Sequence, residues 1–254
     1  MNLYEAIHVR KTVRKYAMTE LPGKELDRIR RHFSDVTNLF GNIDTDMVIF
    51  DNRKGNNRVS GLLGLKAPYY LVFYSEEKPK YMMNLGYLMQ QMALYLCTRG
   101  LGACFVRNIH LKKEQMTLDG KKAVCALAFG KSKEAYIRKA SEAYRMPLEK
   151  ICTFREQPRQ WVRQMVEAAR MAPSRKNRQP WRFVVFDNCI HIYTTGVSSD
   201  QLNMAEELSF GALFANLLVA GEELWLELDL IRLDSIAQNQ YKPEQYLLSV
   251  VLIS

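Results

Sequence analysis

Two stretches far apart in the chain, Gly86 to Leu101 and Gly211 to Leu226, can be laid over one another, each a long apolar run of helical character. The match continues downstream, where Val124 to Gly130 lines up with Leu248 to Ser254. Single residues agree weakly, but the order of elements agrees: helix, strand, long helix, strand, twice over. A long apolar helix must be covered, and two of them in related halves can cover each other. The chain therefore reads as two related halves, residues 1–150 and 151–254, which together supply the interior that a dimer interface ordinarily provides.

The elements follow from local pattern. Asn2, with Glu5 three residues on, reads as the cap of a first helix that has Leu3 and Ile7 on one face. A second amphipathic helix starts near Lys24, with Leu26, Ile29 and Phe33 at helical spacing. Asp46 to Phe50 and Tyr69 to Tyr74 are strand-like, and the polar, glycine-containing Asp51 to Gly64 between them reads as a loop over a ligand or the surface. A long helix is expected from Tyr81 to Arg99, with Leu85, Leu88, Met89, Met92, Ala93 and Leu96 as core and Gly100 as its stop. Ala123 to Phe129 reads as a buried strand, and the polar stretch Lys131 to Lys150 joins the halves. In the second half, Pro158 is placed as a first helical residue, followed on one face by Trp161, Met165, Val166 and Ala169, with a stop near Pro173. Phe183 to Phe186 and Ile190 to Thr195 form a hairpin across Asp187-Asn188. A second long helix runs from Met204 to Leu228, and Leu247 to Ile253 closes the chain as a strand.

Composition narrows the class of partner. Hydrophobic residues make up 48% and charged residues 25%, the balance of a globular protein. Net charge is +9, which favours an anionic partner: nucleic acid, an acidic membrane or a phosphorylated cofactor. Outside the motifs described below and the Lys131 to Lys150 joint, the bases are dispersed, so no nucleic-acid stripe is expected. The most apolar helical stretch, Leu208 to Leu233, is interrupted by Glu222, Glu223, Glu227 and Asp229, so no membrane span is expected. The N-terminus carries Glu5 and a run of bases where a signal peptide needs an apolar core, and a cytoplasmic location is expected. Cys97, Cys104, Cys125, Cys152 and Cys189 form no CxxC pair, which argues against a disulfide framework and against a metal site.

Four strings stand out chemically. Arg10-Lys11-Thr12-Val13-Arg14 places two guanidinium forks and a hydroxyl at alternate positions, at a helix end or in an extended turn just after it, able to converge on one anion. Ala172-Pro173-Ser174-Arg175-Lys176-Asn177-Arg178-Gln179-Pro180-Trp181 is a proline-bounded loop in which Ser174, Asn177 and Gln179 can read the edge of a planar heterocycle and Trp181 anchors the loop in the core. Gly100-Leu101-Gly102 ends a helix and lets backbone approach a ligand closely. Tyr144-Arg145-Met146-Pro147-Leu148-Glu149 offers Arg145 as a further phosphate partner. None of His8, His32, His110 or His191 lies in a recognisable catalytic pattern.

Together these strings resemble the FMN-dependent nitroreductase superfamily, and in particular its single-chain pseudodimeric group. Arg10 to Arg14 is similar to that family's Arg-Arg-Ser-x-Arg signature, and Ala172 to Trp181 resembles its Ala-Pro-Ser-x-x-Asn-x-Gln-Pro-Trp string almost residue for residue. Gly100-Leu101-Gly102 and Arg145 to Glu149 match lesser family features. The order departs from an ordinary member, in which the first two strings lie close together, whereas here Arg14 and Ser174 are about 160 positions apart. A family active site lies at a homodimer interface, so the departure fits a fused dimer in which each half keeps its own contribution to one site. The lysine that commonly precedes the Arg145 position by two is Ala143 here.

The resemblance implies an α+β fold, with a mainly antiparallel sheet flanked by helices and repeated once as a pseudodimer. It implies that Arg10, Thr12, Arg14 and Arg145 hold the phosphate and ribityl chain of FMN. Lys11 is expected beside the flavin through its backbone, and Pro173, Ser174 and Asn177 are expected to reach across from the other half. The implied activity is that of an oxidoreductase: NAD(P)H reduces FMN, and the reduced flavin passes hydride to a small acceptor such as a nitroaromatic or a quinone. The expected working unit is a monomer, with a small molecule as its partner. The same residues permit two alternatives, a flavin-binding sensor or carrier with little turnover, and another flavin reduction such as reductive dehalogenation.

Overall fold

Asn2 caps the first helix, α1 (Leu3–Val9), reciprocally: its Oδ1 accepts from Glu5 N at 2.8 Å while Glu5 Oε2 accepts from Asn2 N at 3.0 Å. In the computed structural model, which describes residues 1–54, 59, 65–233, 236 and 241–253, a second helix α2 (Gly23–Asp35) follows. Then come β1 (Thr45–Asp51), β2 (Tyr69–Ser75), the long α3 (Tyr81–Thr98), β3 (Gly102–Val106), the two-residue β4 (Thr117–Leu118) and β5 (Lys121–Gly130). A short helix α4 (Leu148–Ile151) runs directly into β6 (Cys152–Phe154), followed by α5 (Gln160–Arg170), β7 (Trp181–Val185) and β8 (Cys189–Thr194). The second long helix α6 (Met204–Glu223), β9 (Leu228–Ile231) and β10 (Tyr246–Leu252) complete the chain. Most of the Asp51 to Gly64 loop expected from sequence lies outside the described residues.

The duplication reaches the sheet topology. The first sheet is ordered β1-β2-β5-β3, with β4 paired to β5, and the second is ordered β6-β7-β8-β10-β9. Without β6, the second order repeats the first strand for strand, and in each half the long helix falls between the second and third strands of the chain. Pairing is antiparallel throughout except for β6, which lies parallel to β7 with Cys152 opposite Phe183. Thus the chain leaving the first half adds a strand to the sheet of the second.

α3 and α6 cross where the two glycines aligned in sequence meet the opposite backbone. A Cβ on Gly86 would lie 2.2 Å from the carbonyl oxygen of Leu208, and one on Gly211 would lie 1.9 Å from that of Met83. Leu208 precedes Gly211 by the same three positions as Met83 precedes Gly86, so the contact is reciprocal, as across a two-fold axis. Gln90 Nε2 donates to Asn216 Oδ1 at 2.8 Å inside this interface, and Asn216 Nδ2 donates to the carbonyl of Ala168 on α5 at 2.8 Å. One apolar core surrounds the crossing, with Leu71, Phe73, Leu127 and Phe129 of the first sheet and Phe183 and Ile192 of the second. α6 is long and apolar enough to cross a membrane, the one such helix among the described residues, but 72% of its most apolar window is buried in this core.

Two boundaries differ from the sequence expectation. α5 starts at Gln160 with Arg159 as its cap, so Pro158 stands before the helix and not at its first position. α6 stops at Glu223, five residues short of Leu228, because Trp225 takes a left-handed φ of 56° and Leu226 N turns back to the carbonyl of Gly221 at 3.0 Å. α3 ends the same way, with Gly100 at φ 75° and Leu101 N bonded to the carbonyl of Leu96 at 2.9 Å. The second half uses the same stop with tryptophan in place of glycine, which hides it from a sequence reading.

Candidate functional site

Arg10 to Arg14 is extended chain. Arg10 caps α1, its N–H reaching the carbonyl of Ala6 at 2.9 Å, and the backbone then leaves the helix. Three isolated bridges hold it: Arg10 opposite Ile137, Thr12 alongside Ala103 and Tyr16 opposite Ser132. Val13 N donates to Ala103 O at 3.0 Å, and the Val13 side chain lies so close over Gly102 that a Cβ there would fall 2.6 Å from it. The close approach that Gly102 permits is therefore made by Val13 and not by a ligand. Arg10 is buried, Lys11 half-buried, and Thr12 and Arg14 exposed. Arg10 and Arg14 both act electrostatically on Cys104 of β3, whose thiol is nonetheless pushed up by burial.

Arg10 is 7% exposed, and its Nη1 is buried without a hydrogen-bond partner. Arg138, which no motif marks, donates from its backbone to Val9 O at 2.8 Å and from Nη1 to the carbonyl of Arg10. Arg145 donates from Nη1 to Asn177 Oδ1 at 3.1 Å and to Tyr144 O at 2.9 Å, and from Nη2 to Met171 O at 2.9 Å, while its Nε is buried without a partner. Burial pushes the Arg145 guanidinium down to about 10, helped by three neighbouring charges that are all arginines: Arg138, Arg10 and Arg170. Burial likewise pushes Arg10 down to about 10, with Arg138 adding to the effect.

The loop before β7 closes on the same place. Lys176, Asn177 and Gln179 all take left-handed φ values, 51°, 54° and 50°, a concentration of strain in non-glycine residues. Gln179 is 1% exposed and works as a brace: its Oε1 accepts from Met146 N at 2.8 Å and its Nε2 donates to Asn177 O at 3.2 Å. It does not face outward to read a heterocycle. Ser174 Oγ accepts from Gln179 N at 2.9 Å, and Asn177 Nδ2 donates to Tyr144 O at 2.8 Å. Pro173 and Ser174 are half-buried beside them, and Trp181 is fully buried, edge-on to Phe210.

Arg145 and Asn177, predicted from opposite halves, are in direct contact. Arg10 joins them through the shared field of the arginines, whereas Thr12, Arg14 and Lys11 lie farther along the strand beside β3. The residues fit a phosphorylated ligand. Two buried guanidinium donors have no partner among the described residues, and such forks match phosphate oxygens. Three of the four histidines are engaged elsewhere: His32 stacks on Tyr95 at 3.8 Å, His8 sits edge-on to Tyr4, and His191 Nδ1 meets Ser249 Oγ at 2.6 Å, while His110 is exposed.

The model of the family described as "Putative TM nitroreductase" matches residues 2–207. No curated protein matches the sequence. Among solved structures, a putative nitroreductase from Thermotoga maritima superposes with a TM-score of 0.62 at 18% identity, over 100% of this chain and 94% of that one, which shows the nitroreductase fold. An FMN-dependent nitroreductase from Clostridium difficile gives a TM-score of 0.47 at 17% identity, over 60% of this chain and 98% of that one. A nitroreductase family protein from Clostridium novyi gives 0.43 at 18% identity, over 52% and 88%.

Proposed function

The chain belongs to the "Putative TM nitroreductase" family, and from that we propose that it is a flavin oxidoreductase holding one FMN where its two halves meet. The observation that carries this reading is the pair of buried donors without a partner among the described residues, Arg10 Nη1 and Arg145 Nε, the latter on a guanidinium bonded to Asn177. Such groups are costly unless an anion meets them, and a phosphate supplied by the ligand is the anion their planar forks suit. On this reading Arg10 and Arg145 hold the phosphate, and Thr12 and Arg14 line the path of the ribityl chain. The Lys11 backbone and the Pro173, Ser174 and Asn177 loop flank the ring.

The chemistry that FMN supplies when bound is hydride transfer, from NAD(P)H to a small acceptor such as a nitroaromatic or a quinone. The protein's own part is orientation and charge. The Gln179 brace fixes the loop so that Ser174 and Asn177 keep their positions, and the arginine cluster gives the site a positive potential suited to the ligand's phosphate. No side chain is assigned the role of acid or base. The working unit is a cytoplasmic monomer that acts as an internal pseudodimer.

The test is a visible-absorption titration of the purified protein with FMN, alongside its mass in solution. One FMN per monomeric chain is expected. Arg14→Ala and Asn177→Ala, one in each half, should each weaken FMN binding by about tenfold or more, the effect of losing one hydrogen bond to a charged group. An unchanged affinity in Asn177→Ala sinks the shared site.

A further inference from the structure

The connector between the halves reads in sequence as a polar joint, yet it delivers a side chain to the arginine cluster. Arg138 is fixed at both ends. Its backbone N–H is held by Val9 O at 2.8 Å next to the Arg10–Ile137 bridge, and its Nη1 is held by the carbonyl of Arg10. The guanidinium thus stays beside Arg10, within reach of Arg145 electrostatically, half-buried, and its remaining donors have no protein partner among the described residues. The carboxylate whose field reaches it is Glu142, which is engaged with Lys139 N at 3.1 Å and makes no ion pair with Arg138. Three guanidiniums thus share one neighbourhood, with orphaned donors on two of them.

We propose that Arg138 is the third cation of the phosphate site and that the trio of Arg10, Arg138 and Arg145 selects a phosphate monoester dianion, so that FMN is preferred over the uncharged riboflavin. This rests on the flavin reading above, but the charge argument stands without it. Three like charges repel, Arg138 depresses the guanidinium pKa of both its neighbours, and a dianion relieves more of that repulsion than a neutral ligand or a monoanion can. The bond from Arg138 to the Arg10 carbonyl offers a competing, purely structural role. That role shapes the whole segment and is indifferent to whether the ligand carries a phosphate.

The two are separated by measuring dissociation constants of FMN and of riboflavin for the wild type, Arg138→Met and Arg138→Lys. Arg138→Met should lose about tenfold to hundredfold in FMN affinity and little in riboflavin affinity, so the preference for FMN collapses, while Arg138→Lys retains part of it. Equal weakening of both ligands, or no change in either, overturns the proposal. Inorganic phosphate added to flavin-free protein gives an independent arm: it should raise the melting temperature of the wild type and raise that of Arg138→Met distinctly less. A wild type that ignores FMN but is stabilised by phosphate through Arg138 sinks the flavin reading and leaves this site standing. A wild type that binds FMN with no contribution from Arg138 does the reverse.

Discussion

Arg10 is charged, nearly inaccessible and short of a partner, so the flavin-free protein carries a local penalty. Its guanidinium is pushed down to about 10, chiefly by burial. At neutral pH both the folded and the unfolded chain hold the proton, so the folded state bears the unfavourable difference, on the order of 3 kcal/mol. That penalty is relieved only as pH rises past about 10 toward the ordinary guanidinium value, where the unfolded chain binds more protons than the folded one. At neutral pH the relief has to come from an anion. Arg10→Met is therefore expected to leave the melting temperature of flavin-free protein unchanged or higher while reducing FMN affinity by at least tenfold. A marked fall in that melting temperature would show that the protein already neutralises Arg10. The two flanking strings of this site were legible because arginine at alternate positions and the Pro-Ser-x-x-Asn loop are dense with unusual chemistry. Arg138 was not, because one arginine in a polar joint has no pattern, and it is the Arg10–Ile137 bridge that brings it in. Gln179 was noticed for the wrong reason: its carboxamide is chemically suited to a heterocycle, but its burial commits it to Met146.

The elements divide by how much of their reason for existing is local. α1 was legible from its capping box, β2 from its aromatic and branched residues, and α3 from its apolar face, since each carries its own signal. β3, β6 and β9 were not legible, because strands of three to five residues exist through pairing with β5, β7 and β10. The α3–α6 crossing was half legible: the aligned glycines showed in sequence, but their contact with each other's helix did not. Gly86→Ala and Gly211→Ala should each destabilise the protein by about 3 kcal/mol or more, since the added carbon would meet backbone and only a shift of the helices can make room. Gly23→Ala in the first turn of α2, where nothing lies within 4 Å, is the control and should be neutral or mildly stabilising. Thermal melts that failed to separate the first two from the third would contradict the close packing. Trp225 supplies a test of opposite sign. It is 95% exposed and left-handed at the position where α3 uses Gly100, so Trp225→Gly should raise stability by about 1 kcal/mol.

On the scale of the whole molecule, the two halves behave geometrically as subunits that share a chain. Their sheets repeat one strand order, their long helices meet reciprocally, and the chain leaving the first half runs directly into β6 of the second sheet. On that decomposition the covalent link adds effective concentration and little else, because non-covalent contacts hold the halves: the α3–α6 crossing and the bonds of Arg145 and Met146 to Asn177 and Gln179. Between β6 and α5 the chain is exposed from Arg155 to Gln157, so a protease recognition sequence inserted between Gln157 and Pro158 should be cleavable in the folded protein. After the cut, the two fragments should co-elute at the mass of the intact chain and bind FMN within a few-fold of the uncut protein. Arg145 would then lie on one fragment and its partner Asn177 on the other. The melting temperature of the cut form should fall and become dependent on protein concentration, as in a dimer, while that of the uncut form stays independent of it. Fragments that separate at micromolar concentration, or that precipitate once cut, would mean that each half needs the chain connection to fold. The duplicated topology would then describe the origin of the fold and not its present energetics.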